Sequence, residues 1–148
     1  VLAEFIVAST IDVLDSPREE WDAYDLITKD GLKIEVKSSA YLQSWKQKEL
    51  SKISFGIQPT VVWSDNNTRS QYAKRQADVY VFCLLAHKDK TTANPLDLSQ
   101  WEFYVLDTKV LNDKVPLQKT IALSSLLRLN PAKVEYDNLS EELSKYES

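Results

Sequence analysis

The chain has 148 residues, of which 43% are hydrophobic and 27% are charged, and its formal net charge is −4 at pH 7. This composition predicts one domain over residues 1–148 with a substantial core, and it excludes a disordered chain. Apolar runs are shorter than the roughly 18 residues that cross a bilayer, and no signal segment is recognisable, so we expect a cytoplasmic protein with no membrane partner. The sequence opens inside a predicted helix and contains no Met, which predicts that a short N-terminal part is missing.

The first half of the chain predicts a helix followed by a β-hairpin. Apolar residues recur at helical spacing near the start, and alternating apolar residues mark two strands on either side of an Asp-Gly turn. The elements predicted in this half are a helix at 2–11 that bears Glu4, strands at 21–28 and 32–39, a stretch at 41–57 that is ambiguous between strand and helix, and a polar loop within 58–70.

The second half predicts further strands and helices. A run rich in β-branched and aromatic residues has the pattern of a fully buried strand. The elements predicted here are a short basic helix at 68–77, strands at 78–86 and 101–106 with a loop between them, a helix or strand-to-helix junction at 120–129, and a terminal helix at 139–146. Together the two halves predict an α/β fold in which a mixed sheet is flanked by helices.

The scarcity of three residue types excludes several familiar sites. The single Cys83 cannot form an internal disulfide or a cysteine zinc site, and its apolar surroundings predict a buried thiol. His87 is the only histidine, which supports neither a histidine metal site nor a Ser-His hydrolase. With only Gly31 and Gly56, the chain cannot form a glycine-rich phosphate loop.

The second strand of the hairpin carries a polar row on one face. Side chains alternate along an extended strand, so Glu35 and Lys37 point one way while Ile34 and Val36 point into a core. The preceding strand has an acid of its own, Asp25. An acid at that position gains significance only if the hairpin register brings it onto the same face as Glu35.

The length of the turn decides whether Asp25 meets Glu35. A three-residue loop with Gly31 in the left-handed region pairs Thr28 with Leu32 and places Asp25 opposite Glu35. Two carboxylates whose Cβ atoms are about 5 Å apart destabilise a hairpin unless a positive charge lies between them, which favours a bound divalent cation. A two-residue loop would instead send Asp25 to the other face.

This arrangement resembles the PD-(D/E)XK nuclease superfamily, which has the restriction-endonuclease-like fold. The superfamily signature is an acid on one strand and an acid-x-lysine triplet on the next, which correspond here to Asp25 and Glu35-Val36-Lys37. The resemblance covers roughly residues 1–86 in the order of their elements. It implies a metal-dependent nuclease that hydrolyses phosphodiester bonds of DNA, and it leaves open whether cleavage is of the endo or the exo type.

The resemblance also implies a role for each residue of the motif. Asp25 and Glu35 would hold Mg²⁺ or Mn²⁺, the backbone carbonyl of Val36 would be a third ligand, and Lys37 would assist the attacking water. Asp22 is a rival for the first ligand, because the proline that often precedes this acid in the superfamily is absent here. The plainer alternative for Glu35 and Lys37 is membership of cross-strand ion pairs.

Further candidates surround the triplet. Glu4 would add a metal ligand, or is an exposed helix residue, and Gln43 would contact the phosphate or the nucleophilic water. Trp45 and Trp63 would stack on bases, although core packing remains open for at least one of them. The candidate nucleic-acid contacts among the cations are Lys46, Lys48, Arg69 and Arg75.

Charge is distributed unevenly along the chain. Residues 1–35 carry 3 basic and 9 acidic side chains, residues 36–90 carry 9 and 4, and residues 91–148 carry 6 and 9. An acidic cluster beside a basic segment suits an enzyme that needs a metal and binds a polyanion, although an uneven solvated surface has the same pattern. The acidic net charge favours one alternative, a catalytically inactive nuclease-fold module that binds nucleic acid or protein.

Overall fold

The computed structural model describes residues 2–11, 24–63 and 69–147. Within these ranges, no helix combines the length and the apolar character needed to span a membrane. The helices are α1 (Leu2–Ala8), α2 (Thr108–Lys114), α3 (Leu123–Arg128) and α4 (Tyr136–Ser144), with a 3₁₀ turn at Leu98–Gln100. The strands are β1 (Leu26–Ile27), β2 (Lys33–Ala40), β3 (Ser54–Gly56), β4 (Thr60–Trp63), β5 (Arg69–Lys74), β6 (Val79–Leu85), β7 (Trp101–Asp107), β8 (Thr120–Ala122) and β9 (Ala132–Val134).

A five-stranded sheet in the order β1-β2-β6-β7-β9 forms the centre of the fold. β2 runs parallel to β6, and the other neighbouring pairs are antiparallel. The pairs β3-β8 and β4-β5 form two small separate sheets. The predicted α/β class, with a mixed sheet flanked by helices, is confirmed.

The central sheet is covered on both faces. On one face, Ile34 and Val36 of β2 pack with α1 and α4, and we call this the α1/α4 face. On the other face, Tyr80 and Phe82 of β6 pack with β3, β8, α2 and α3, and we call this the β3/β8 face. β6 has buried side chains on both faces, which explains its continuous apolar sequence. Cys83 is buried in this strand, as expected, and burial raises the pKa of its thiol.

Most predicted elements are present, and the predicted helix at 68–77 is wrong. That segment forms β5, which pairs with β4 in an antiparallel hairpin. A helix of this length is marginal by itself, so the backbone hydrogen bonds offered by β4 decide its conformation. The ambiguous stretch at 41–57 is a loop that ends in β3, and the predicted junction at 120–129 is β8 followed directly by α3.

The turn between β1 and β2 has the predicted three residues. The N–H of Thr28 donates to the carbonyl of Leu32, and the N–H of Gly31 donates to the carbonyl of Thr28, both at 2.9 Å. Gly31 has a φ of 90° and so lies in the left-handed region. The expected pairing of Thr28 with Leu32 is therefore confirmed, and the next pair of the ladder is Ile27 with Lys33.

We expect Gly31→Ala to lower the free energy of unfolding by about 1–2 kcal/mol, because an L residue pays this amount at positive φ. A Cβ at Gly31 would meet no atom within 4 Å, so the cost is conformational rather than steric. Gly56→Ala is the matched control, since its Cβ also meets nothing within 4 Å and its φ is not positive. Urea unfolding of both variants checks the prediction, and equal losses would contradict it.

Candidate functional site

Asp25 and Glu35 meet at the β1 edge of the central sheet. The register of β1 with β2 ends at the pair Leu26–Ile34, and Asp25 directly precedes Leu26. The N–H of Asp25 donates to the carbonyl of Ile34 at 2.9 Å. Its Oδ2 accepts the N–H of Val36 at 2.7 Å. The carboxylate of Asp25 therefore lies against the peptide that joins Glu35 to Val36.

Both carboxylates lie near Tyr80 on the β3/β8 face. Glu35 pairs with Tyr80 across β2 and β6, so their side chains share a face. Burial is the largest cause of the raised pKa of Tyr80, which reaches about 12, and the charges of Glu35 and Asp25 raise it further. Asp25 and Glu35 thus act electrostatically on one buried hydroxyl. Tyr80 is a component of the site that the motif does not reveal.

The donor set of this site consists of oxygen atoms. Among the residues that the structure describes, no group of three or more His, Cys, Asp or Glu side chains is placed to hold a metal ion. A metal would therefore rest on two carboxylates, a backbone carbonyl and water. Oxygen ligands of this kind are those that Mg²⁺ and Mn²⁺ prefer.

Val36 is placed to supply the backbone oxygen. Backbone groups alternate in direction along β2: the carbonyl of Lys33 accepts from Asp78, next to β6, while the carbonyl of Ile34 accepts from Asp25, next to β1. Val36 follows the pattern of Ile34, and its N–H already bonds Asp25. Its carbonyl is therefore directed toward the edge where Asp25 lies. The residues present fit a hard divalent cation.

Lys37 lies on the same strand face as Glu35. It pairs with Phe82 of β6 and is half-buried. Two positions along a strand correspond to about 6.6 Å, so the base of the Lys37 side chain is adjacent to that of Glu35. Both residues pair with β6, which holds this part of β2 in the sheet.

The remaining residues of the predicted site have other positions. Glu4 is half-buried on α1, whose apolar residues pack on the α1/α4 face. Gln43 closes the loop after β2: its Nε2 donates to the carbonyl of Ala40, and its N–H donates to Oε1 of Gln47, both at 2.9 Å. These bonds give Gln43 a structural role in the loop, and its contact with the phosphate or the nucleophilic water stays a prediction. Asp22 lies outside the described residues.

Arg75 is a buried structural residue, which corrects the prediction that it contacts nucleic acid. It is 6% exposed, and burial lowers the pKa of its guanidinium. All of the N–H groups of its guanidinium donate hydrogen bonds to acceptors within the protein, so all of its donors are used. The acceptors are the carbonyls of Ile57 at 2.8 Å, Val115 at 3.1 Å, Gln118 at 3.1 Å and Pro116 at 3.3 Å, and Oδ1 of Asn112 at 2.9 Å.

Two of the predicted nucleic-acid contacts lie on an exposed loop. Lys46 and Lys48 are exposed in the loop after β2, beside Trp45, whose side chain is 62% exposed. Trp63 and Arg69 pair across the β4-β5 hairpin, and their side chains lie outside the described part of the chain. Lys46 and Lys48 therefore remain candidates for contact with a polyanion.

Two carboxylates and a lysine on neighbouring segments at the edge of a mixed sheet form the kind of site that suits a phosphodiester-cleaving enzyme. The sequence matches the model of the bacteriophage T4 endonuclease IV family over residues 1–125. The chain belongs to this family, and its membership supports a nuclease that acts on DNA. A search of curated proteins found no match to the chain.

The raised pKa of Tyr80 predicts a loss of stability at high pH. In the unfolded chain the phenol ionises near pH 10, whereas in the folded protein it stays protonated up to about pH 12. Between these values the unfolded state binds fewer protons, so the free energy of unfolding falls as the pH rises. We expect Tyr80→Phe to reduce this slope in denaturant titrations between the two values.

Part of the decrease in the free energy of unfolding at high pH should remain in the Tyr80→Phe variant. Burial also raises the pKa of Tyr104, with a contribution from its hydrogen bond to Glu102, and this residue is unchanged in the variant. In the double variant that carries both Tyr80→Phe and Tyr104→Phe, the free energy of unfolding should depend less on pH than in either single variant. If Tyr80→Phe has the same slope as the parent protein, the account of this buried hydroxyl is wrong.

Proposed function

We propose that this protein is a metal-dependent endonuclease that hydrolyses DNA at the acid pair, with Asp25, Glu35 and Lys37 as its catalytic residues. The observation that carries the proposal is the contact of the Asp25 carboxylate with the N–H of Val36, directly beside Glu35. Membership of the endonuclease IV family supports phosphodiester hydrolysis. The positions of β1 and β2 support the PD-(D/E)XK assignment, because the acid directly precedes β1 and the acid-x-lysine triplet lies on the adjacent strand β2.

The protein groups have distinct parts in the proposed reaction. Asp25, Glu35 and the carbonyl of Val36 would hold Mg²⁺ or Mn²⁺, which supplies Lewis-acid polarisation of the phosphate and a water of lowered pKa when bound. The hydrogen bond from Val36 fixes the orientation of the Asp25 carboxylate. The two negative charges repel each other across the hairpin, so a cation between them is stabilised.

Lys37 has a different task from the two acids. Its ammonium group lies on the face where a phosphate bound at the acid pair would lie, and it presents three N–H donors. We assign it to donate a hydrogen bond to the attacking water or to a phosphate oxygen, where it stabilises the negative charge that grows in the transition state. The pairing of β2 with β6 holds the backbone of Lys37 in place beside Phe82.

Cleavage of a closed circular DNA tests the proposal, because a molecule without ends is cut only by an endonuclease. We expect the wild-type protein to cut the circle with Mg²⁺ or Mn²⁺ and to stop when EDTA is added. Glu35→Gln, purified in parallel, reveals any contaminating nuclease. Glu102→Gln is the matched control, since Glu102 is an acid on β7 of the same sheet that pairs with Lys133.

Two results of this experiment would contradict the proposal. In one, the circle stays intact with every metal; in the other, the Glu35→Gln variant cuts as fast as the wild type. If the protein binds DNA or a protein partner tightly and does not cut DNA, the result favours the alternative, a catalytically inactive nuclease-fold module that binds nucleic acid or protein. The net charge of −4 is the observation that favours a module over an enzyme that holds a polyanion.

A further inference from the structure

The loop at 41–52, which follows β2, exposes a tryptophan among lysines. Trp45 is 62% exposed, although large aromatic side chains usually bury most of their surface. Lys46, Lys48 and Lys52 of the same loop are exposed as well, and the loop has a single acid, Glu49. We call this segment the Trp45 loop. An aromatic face surrounded by cations is complementary to a nucleotide, which has an aromatic base and an anionic phosphate.

Hydrogen bonds close the base of the Trp45 loop. Nε2 of Gln47 donates to the carbonyl of Tyr41 at 3.2 Å and to Oγ of Ser51 at 3.0 Å. The N–H of Ser51 donates to the same carbonyl at 3.0 Å. Gln43 completes the closure by donating its N–H to Oε1 of Gln47. The indole is therefore presented by a loop of defined shape.

A second segment holds the Trp45 loop against the body of the protein and adds cations to it. Nζ of Lys90 donates to the carbonyl of Trp45 at 3.1 Å. Nζ of Lys88 lies 4.6 Å from the centroid of the Tyr41 ring. Both lysines come from the connection between β6 and β7, where Asp89 is the intervening acid. The positive charge around Trp45 thus comes from two separate segments.

The Trp45 loop leaves the sheet on the side of the candidate site. It begins at Tyr41, which directly follows the end of β2 and lies four positions beyond Lys37, and Tyr41 packs with the cluster on the β3/β8 face. Four residues of strand span about 13 Å, which is the length of a few nucleotides. A DNA strand bound over Glu35 and Lys37 that continues along β2 therefore reaches the start of the Trp45 loop.

We propose that Trp45 is a base-stacking residue that binds an unpaired base a few nucleotides from the scissile phosphate, while Lys46 and Lys48 contact the neighbouring phosphates. The inference rests on the proposed function, since it takes a DNA strand as the ligand of this face. Stacking requires a base outside a duplex, because a paired base inside a helix has no free face. Trp45 would then determine how the strand is positioned relative to the acid pair.

Binding of a fluorescent single-stranded oligonucleotide, measured by anisotropy in EDTA, tests the inference without cleavage. We expect Trp45→Ala to raise the Kd by about 5- to 100-fold and Trp45→Phe to restore most of the affinity, because phenylalanine also stacks. Phe5→Ala is the matched control, since Phe5 is 72% exposed on α1 and should leave the Kd unchanged.

An oligonucleotide of the same length with abasic sites separates stacking from charge. It keeps the phosphates and lacks the bases, so wild type and Trp45→Ala should bind it equally. If Trp45→Ala binds the normal oligonucleotide as tightly as wild type, or if wild type binds no DNA at all, the inference is overturned. A loss of affinity of the same size on the abasic strand would also overturn it.

The inference and the proposed function fail in different ways. If wild type cuts circular DNA while Trp45→Ala retains full affinity, the proposed function stands and Trp45 is not a stacking residue. If Trp45→Ala loses affinity while wild type leaves the circle intact, Trp45 stacks on bases and the assignment of Asp25, Glu35 and Lys37 as catalytic residues is wrong.

Discussion

Lys37→Ala is expected to lower the single-turnover rate constant of DNA cleavage by about 10²–10³-fold, the usual cost of removing one preorganised donor to a developing charge. The protein should remain folded, because the side chain is half-buried on one face of a strand and carries no part of the core. Measurement at saturating protein separates this effect from weaker DNA binding. We expect the Kd for DNA to change much less than the rate constant.

Lys33→Ala is the matched control for Lys37→Ala. Lys33 lies on the same face of β2, four positions earlier, and its Nζ is 5.6 Å from the centroid of the Tyr24 ring. Both substitutions remove one positive charge from the same strand face, so a general electrostatic effect would be similar in the two variants. Equal rate losses for Lys33→Ala and Lys37→Ala would contradict a specific role of Lys37.

Arg75→Met is expected to lower the free energy of unfolding by about 3–5 kcal/mol, because it leaves several buried acceptors without their charged donor. These acceptors come from the end of β3 and from the segment that follows α2, so Arg75 joins two parts of the fold. Arg75→Lys should restore little of the loss, since an ammonium lacks the planar fork. Urea unfolding measures both variants.

Arg128→Met is the comparison for Arg75→Met. Arg128 is exposed at the end of α3, and its replacement should change the free energy of unfolding by less than about 0.5 kcal/mol. The contrast tests whether Arg75 is structural, as its buried hydrogen bonds indicate. If Arg75→Met is as stable as Arg128→Met, the structural role is wrong and a contact with DNA becomes the better account.

The hairpin at the candidate site was predictable because its rules are local. Gly31 allows the positive φ that a three-residue loop needs, and that loop determines the register of the two strands. Once Thr28 pairs with Leu32, the register brings Leu26 opposite Ile34, so Asp25 reaches the same end of β2 as Glu35. The contact of the Asp25 carboxylate with the N–H of Val36 lies beyond the last pair of this register, and the turn alone does not determine it.

The features that escaped prediction depend on partners distant in sequence. Arginine is a residue type that usually lies at the surface. The burial of Arg75 depends on carbonyls that are distant in sequence, such as that of Gln118. Tyr80 lies beside Glu35 because β2 and β6 pair in parallel, and no local turn determines the register of a parallel pair. The segment at 68–77 became a strand because β4 pairs with it, which its own sequence does not show.

The central claim is that Asp25 and Glu35 together hold a divalent cation, and a Mn²⁺ titration followed by electron paramagnetic resonance tests it most directly. We expect the wild-type protein to bind Mn²⁺ and both Asp25→Asn and Glu35→Gln to lose that binding. Glu102→Gln, which removes an acid from β7 of the same sheet, should retain it. If the wild type binds no Mn²⁺, or if both site variants bind it as the wild type does, the claim is wrong.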